Sequence, residues 1–451
     1  MDQGEKDKAD DSPNFTFMNF PFIEKKELQC LGADEQENKE DELKRSDGPD
    51  QSREGHPAQL PVKRKSFIHV PQGKGFKAGL TSNKGGRTFL GVSDVLKLSP
   101  LDQQHRDLGG RLVPFAGWEM PVVYSSIIEE HETVRKGVGL FDISHMGQVF
   151  VSGGMAEEWL NRMLSNDVSS IEAGNAQYTF LLNRDGGVID DLIIYRLDEE
   201  QFLLVVNAAK IEEDVKWLYD HREEGVEIKN DSSEWAGLAI QGRKASEAYF
   251  AASGGRTLPK RNGVDDLTME GSRFIVCRTG YTGEDGFELF CPKSMAAHWW
   301  ESFISEGVKP CGLAARDSLR LEMCYPLNGS DLSPERTPLE AGLGFFVSLE
   351  KDEFIGKESL ENQKEGGLKE RLVAIEALER GAPPRAGYSV FSKSGEALGV
   401  LTSGGMSPSL GKGIALGYLP VSHAKIGTEV DIEIRGKKIS AKVVKKPFYR
   451  K

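Results

Sequence analysis

Two stretches of strand-forming residues, each broken by a glycine turn, set the narrowest limits on what this chain can fold into. Tyr178 to Leu182 and Val188 to Tyr195 are rich in β-formers and flank Arg184, Asp185, Gly186 and Gly187, the signature of a hairpin. Near the C-terminus Val430, Ile432 and Ile434 alternate with polar residues, the chain turns through Gly436, and Ile439, Ala441 and Val443 alternate again. Between these stretches lie helical patterns. Trp159, Leu160, Met163 and Leu164 share one face, as do Ile211, Val215 and Leu218, and Ser294 is placed to cap a helix that carries Trp299, Trp300, Phe303 and Ile304 inward. Phe202 to Val206 reads as a buried strand. The elements mix without a regular βαβ alternation, which predicts an α+β fold. Beyond the charged segment from Lys357 to Glu370 the pattern is all-β and predicts a small antiparallel barrel or sandwich. The expected boundary lies near residue 365, giving a body over 94–365 and a closing β domain over 366–451.

The first 93 residues have a different character. Residues 1–60 carry 16 acidic against 8 basic side chains and lack apolar periodicity, a composition that cannot offset the entropy of ordering. Residues 61–88 reverse the sign, with seven Lys or Arg and no Asp or Glu. They resemble an organellar transit peptide in composition but not in position, because the acidic stretch precedes them. A disordered extension over 1–93 is therefore expected. Gly73, Gly75 and Ala78, followed by Asp94, meet a loose dinucleotide fingerprint, but Pro71 interrupts the approach and the preceding segment is a poor buried strand.

Whole classes of function lose support. The net charge of -13 over 451 residues disfavours wholesale binding to nucleic acid or to an anionic membrane. No apolar run approaches a membrane span. The 5 cysteines are scattered and form neither a disulfide framework nor a zinc site. There is no HExxH, Walker A loop or GxSxG elbow, so no metal is expected.

Four segments remain in which carboxylates and arginines stand beside glycines: FAGWEMP at 115–121, LFDISHM at 140–146, TGYTGEDGFE at 279–288 and LAARDSLRLE at 313–322. Asp142 lies in an otherwise apolar stretch, where desolvation would raise its pKa. A turn or capping Asp beside Ser144 and His145 fits the same spacing. His145 reads as a satisfied structural histidine. Glu288 leads the apolar strand Phe287 to Phe290 and needs a partner, either an internal Arg or a planar ligand edge with two adjacent donors. Arg316 and Arg320 lie one helical turn apart, with Asp317 and Glu322 placed to neutralise them.

Together with GGVIDDL at 186–192, TSGGMSPSLGKGIALGY from 401 and the terminal KKPFY, these segments resemble the T-protein family of the glycine cleavage system, the tetrahydrofolate-dependent aminomethyltransferases. The resemblance runs from about Leu98 to Tyr449. It implies a three-domain cloverleaf, with two interleaved subdomains in the body and a C-terminal barrel. It implies tetrahydrofolate as co-substrate, no metal, no flavin, and lipoylated H-protein as the partner that delivers an aminomethyl carbon. By the family pattern Asp142 is the catalytic aspartate, and Glu288, Arg316 and Tyr449 bind the ligand. Tyr178 and Asn166 line the folate side, and Arg385 belongs to the barrel or the folate tail. Asp190 and Asp191 read as turn and strand-start residues. The resemblance places the protein in the mitochondrial matrix of a eukaryote or the cytoplasm of a bacterium. Related folds suggest a tetrahydrofolate-dependent demethylase as the alternative. A non-catalytic folate-binding protein of iron-sulfur cluster maintenance is disfavoured, because AARDSLRLE stands where that class carries a KGCYxGQE segment.

Overall fold

The computed structural model describes residues 96–269 and 271–451. The expected disordered extension over 1–93 lies outside the described residues. The central hairpin forms as the sequence pattern requires, with strands Asn175–Leu182 and Val188–Arg196 paired from Asn175 opposite Arg196 to Leu182 opposite Val188. Its turn is held by Asn183, whose Oδ1 accepts from the backbone N–H of Asp185 at 3.0 Å and of Gly187 at 2.9 Å. A Cβ on Gly187 would stand 1.8 Å from the carbonyl oxygen of Pro334, so the close passage of that loop requires glycine there.

The hairpin opens a five-stranded antiparallel sheet that continues through Gln201–Val206 and Gly147–Ser152 to Glu227–Asn230. Helices Ala156–Met163 and Ile211–Asp220 pack one face, where Trp159, Leu160 and Leu218 meet Leu192, Ile194 and Leu204. The other face carries Tyr178, Ile193, Tyr195 and Val205 into the central core. Both faces are buried, which is why Val188–Arg196 is a nearly unbroken apolar run.

This sheet is inserted into a second one. Strands Gly139–Asp142 and Trp235–Gln241 pair antiparallel across the insertion, inside a six-stranded sheet that also contains Val264–Met269, Ser272–Cys277, Gly286–Pro292 and Lys309–Pro310. Trp299, Trp300 and Phe303 of helix Ala296–Ser305 pack against it. Ser294 does not cap that helix: a 3-10 turn over Lys293–Met295 runs straight into it, and Ser294 lies inside the turn.

Helix Lys357–Gly366 ends the body, and Glu370–Ala377 begins a closed six-stranded antiparallel barrel. Val430, Ile432, Ala441 and Val443 point into it, as their alternation predicts. Helix Leu313–Glu322 joins body to barrel. Its Arg320 binds Asp317 at 2.7 Å, Asp331 at 2.9 Å and Ser403 Oγ of the barrel at 2.9 Å. Glu322, expected to neutralise an arginine of its own helix, instead accepts from Arg135 at 2.8 Å and from Ser407 and Ser409 of the barrel. Asp331→Ala would leave the buried Arg320 guanidinium short of its counter-charge. The variant is expected to lose about 3–5 kcal/mol of stability, read from chemical denaturation.

Candidate active site

Asp142 ends strand Gly139–Asp142 and is buried, with its whole carboxyl engaged by the protein. Oδ2 accepts from His105 Nε2 at 2.8 Å and from Ser99 Oγ, and Oδ1 accepts from the backbone N–H of Ser144 at 2.8 Å. Tyr124 Oη stands 2.8 Å from the other ring nitrogen of His105. Burial is the largest single influence and pushes the carboxyl up, but His105, Ser144 and Ser99 together outweigh it and hold the pKa down to about 2. The raised pKa expected from the sequence is thus reversed. A carboxylate so fully satisfied is a poor proton acceptor near neutrality. The turn reading, with Ser144 as its partner, fits.

The opposite situation exists on the hairpin. Asp191, Ile193 and Tyr195 share the strand face that meets the central core. Asp191 Oδ2 accepts from Tyr178 Oη at 2.9 Å, and Oδ1 lies 3.2 Å from Asn207 Nδ2. Burial first, and the charge of Asp190 second, push the Asp191 carboxyl up to about 7. Tyr178 donates to it, and burial holds that phenol well above its ordinary range. Beside them Tyr195 Oη lies 2.8 Å from Thr279 Oγ1 and 3.3 Å from Glu288 Oε2, and Thr279 Oγ1 donates to the same Glu288 oxygen at 2.8 Å. The Arg316 guanidinium lies 5.3 Å from the ring centroid of Tyr281, which stacks on Tyr325 at 5.6 Å. Burial lowers the proton affinity of Arg316 and the charge of Glu288 opposes this, so the two face each other electrostatically.

His145 completes the group. It is fully buried and edge-on to Phe115 at 5.2 Å, and neither ring nitrogen has a hydrogen-bond partner among the described residues. Burial drives its pKa down to about 3, opposed by Asp142 and assisted by Arg316, so the imidazole is neutral. The expectation of a satisfied structural histidine is overturned.

Of the residues marked from sequence, the structure brings Tyr178, Glu288 and Arg316 to this cluster. Asn166 spends its side chain on the backbone, with Nδ2 donating to the Tyr178 carbonyl at 3.0 Å and Oδ1 accepting from Asp167 at 2.9 Å. Arg385 donates to the Gly404 carbonyl of the barrel at 3.3 Å. Tyr449 donates its N–H to the Glu322 carbonyl at 3.0 Å, and its ring lies 4.2 Å from the Arg135 guanidinium. The sequence pattern marks Asp191 as a turn or strand-start residue and does not single out Tyr195, Thr279 or Tyr281. One signal was present: two adjacent carboxylates inside the apolar run VIDDLIIY, which continues too far to be a turn.

Residues 101–351 match the GCVT N-terminal domain family, and residues 370–450 match the glycine cleavage T-protein C-terminal barrel domain. The chain belongs to the glycine cleavage T-protein family. Similar curated proteins named aminomethyltransferase come from Bacillus subtilis (strain 168), 44% identical over 364 residues that cover 79% of this chain and 100% of the relative. Another, from Bacillus mycoides (strain KBAB4), is 47% identical over 364 residues, 79% of this chain and 99% of the relative. The crystal structure of glycine cleavage system aminomethyltransferase T from Bartonella henselae has a TM-score of 0.75 to this chain at 36% identity, covering 79% of this chain and 98% of that one. The α+β body with its antiparallel barrel is therefore the T-protein fold.

Within this T-protein the two buried aspartates differ in what pH does to them. Asp142 has a folded pKa of about 2 against an ordinary 3.8, so it adds stability that is present above about pH 4 and lost as pH falls toward 2. Its contribution is about 2 kcal/mol. Asp142→Asn is expected to remove that acid slope and lower the melting temperature at neutral pH, measured by thermal denaturation between about pH 2 and 7.

Proposed function

We propose that this aminomethyltransferase binds tetrahydrofolate against the cluster of Tyr178, Asp191, Tyr195, Tyr281, Glu288 and Arg316, and that lipoylated H-protein presents the aminomethyl group there. The carrying observation is the buried Asp191 carboxyl, pushed up to about 7 and held by Tyr178. Tetrahydrofolate supplies the amine nitrogens that capture the carbon, giving methylene-tetrahydrofolate while ammonia and dihydrolipoyl H-protein are released.

The residues present suit such a ligand. A flat heterocycle with adjacent N–H donors needs aromatic walls and a fixed carboxylate. Tyr281, stacked on Tyr325, supplies an aromatic surface, and Glu288, steadied by Thr279 and Tyr195, supplies the carboxylate. The two unsatisfied nitrogens of His145 are a second fit. A neutral imidazole buried without partners costs free energy until something accepts from one nitrogen and donates to the other.

Asp191 does the proton work. Its proton affinity near neutrality lets it take the proton that an attacking amine loses and hold it until a leaving group needs it. Tyr178 fixes the direction of the carboxyl, and the surrounding apolar core excludes water. Arg316 faces Glu288, which accepts hydrogen bonds from Thr279 and Tyr195, while Asp191 accepts the proton. Asp142 has no such part, because its oxygens already serve Ser99, His105 and Ser144. The bacterial relatives favour the cytoplasmic alternative, and the mitochondrial expectation has no support from them.

Incubation with aminomethylated H-protein and tetrahydrofolate, following ammonia and methylene-tetrahydrofolate, tests this reading. Asp191→Asn is expected to lower turnover by about 100- to 10,000-fold while folate still binds. The same variant should melt higher than the parent at about pH 8. A carboxyl whose folded pKa is raised favours the fold at low pH and loses that contribution as pH rises toward 7, whereas an amide has no such slope. Retained turnover, or methyl-amine substrates consumed in place of aminomethylated H-protein, would remove the assignment.

A further inference from the structure

Strand Val188–Arg196 sends its two adjacent carboxylates to opposite sides of the five-stranded sheet. Asp191 shares the face of Tyr178. Asp190 lies toward helix Ile211–Asp220, where the carboxyl of Asp214 is fully buried. Asn207, just beyond strand Gln201–Val206, connects the two sides. Its backbone N–H donates to Asp190 Oδ2 at 3.0 Å, and its side-chain amide reaches Asp190 Oδ1 at 2.7 Å, the Asp191 carbonyl at 2.9 Å and Asp191 Oδ1 at 3.2 Å. An amide has two hydrogens, so the two shorter contacts dominate and the third is shared. One side chain thus touches both aspartates.

Asp214 poses the question that this arrangement answers. Neither of its oxygens meets a donor among the described residues, and the carboxyl of Asp190 faces it at hydrogen-bonding range. Two carboxylates are both acceptors and can only repel, unless one of them holds a proton and donates it. Asp190 already accepts from Asn207 through both oxygens, which suits the anion. The proton therefore belongs on Asp214.

We propose that Asp214 carries a proton and donates it to an anionic Asp190, and that this acid pair, tied to Asp191 through Asn207, is a positioning device that sets the charge state of the working carboxyl from the far side of the sheet. The proposal rests on Asp191 being the proton acceptor of the reaction. The groups facing the three acids are Asn207, Tyr178 from the neighbouring strand, Asn328 from its loop, Lys210 and Glu213 from the start of the helix, and more distantly Tyr281. Lys210 opposes the effect and Glu213 assists it on Asp214. Burial raises all three acids, and the charge of Asp190 adds to the rise at both Asp191 and Asp214.

The test uses the full chain with Asp190→Asn, Asp214→Asn and Asn207→Ala. Infrared titration of the protonated-carboxyl band is read beside the pH profile of turnover, with Asp191→Asn identifying the band of residue 191. Asp190→Asn removes a negative charge next to Asp191 and should lower its midpoint by about one pH unit, with the acid limb of the profile moving the same way. Asp214→Asn imitates the protonated acid, keeps a donor toward Asp190, and should leave that midpoint in place. Asn207→Ala removes donors from the carboxylate forms and should raise it, and this variant decides the matter if Asp190→Asn does not fold. An unmoved midpoint in both Asp190→Asn and Asn207→Ala overturns the proposal, as does an Asp214→Asn shift as large as that of Asp190→Asn. If Asp191→Asn keeps full turnover the catalytic reading fails, and the infrared midpoints still decide whether the acids are coupled.

Discussion

Desolvation of carboxylates along one interior strand is the constraint around which this protein is organised. Val188–Arg196 is covered on both faces, so any charge it carries must find a partner inside or give up ionisation. Asp190 and Asp191 solve this differently. One gathers the donors of Asn207, and the other, beside Tyr178, Asn328 and a shared amide, keeps a proton affinity near neutrality. Such a carboxyl is costly to the fold, and a costly group in the interior is better explained by chemistry than by packing.

The contrast with Asp142 shows why burial alone says little about a pKa. Both side chains are almost entirely removed from water. Asp142 has a histidine, a hydroxyl and a backbone N–H directed at it, and these outweigh the desolvation that dominates at Asp191. What decides between them is the nearest charge: His105 holds Asp142 down, whereas the charge of Asp190 pushes Asp191 up. Asp142 organises the turn into Ser144 and binds His105.

Much of the fold was legible because its signals are local. The hairpin at 175–196 follows from strand-forming composition around a glycine turn, and the pair of barrel strands near the C-terminus from alternation around another. Glu288 and Arg316 were legible too, since a glutamate opening an apolar strand and an arginine on a largely buried helix both demand partners. Asp191 was not, because the turn Gly186–Gly187 just before it makes a strand-start aspartate the economical reading. Only the tertiary fact that both sheet faces are covered turns that aspartate into a buried acid. His145 failed for the same kind of reason: whether an imidazole is satisfied depends on what surrounds it, and its surroundings come from Phe115, Asp142 and Arg316, three separate segments.

The helix Leu313–Glu322 links the barrel to the cluster through Arg316. Arg316 faces Glu288, while Arg320, one turn later, is fixed to Asp331 and to Ser403 of the barrel, and Glu322 receives Ser407. A helix is rigid over one turn, so securing Arg320 and Glu322 fixes the direction of Arg316 as well. Arg135 adds a second hold by binding Glu322 and the Thr282 carbonyl, which lies in the glycine-rich segment leading to Glu288. The charge that faces Glu288 is thus positioned by contacts made outside the cluster.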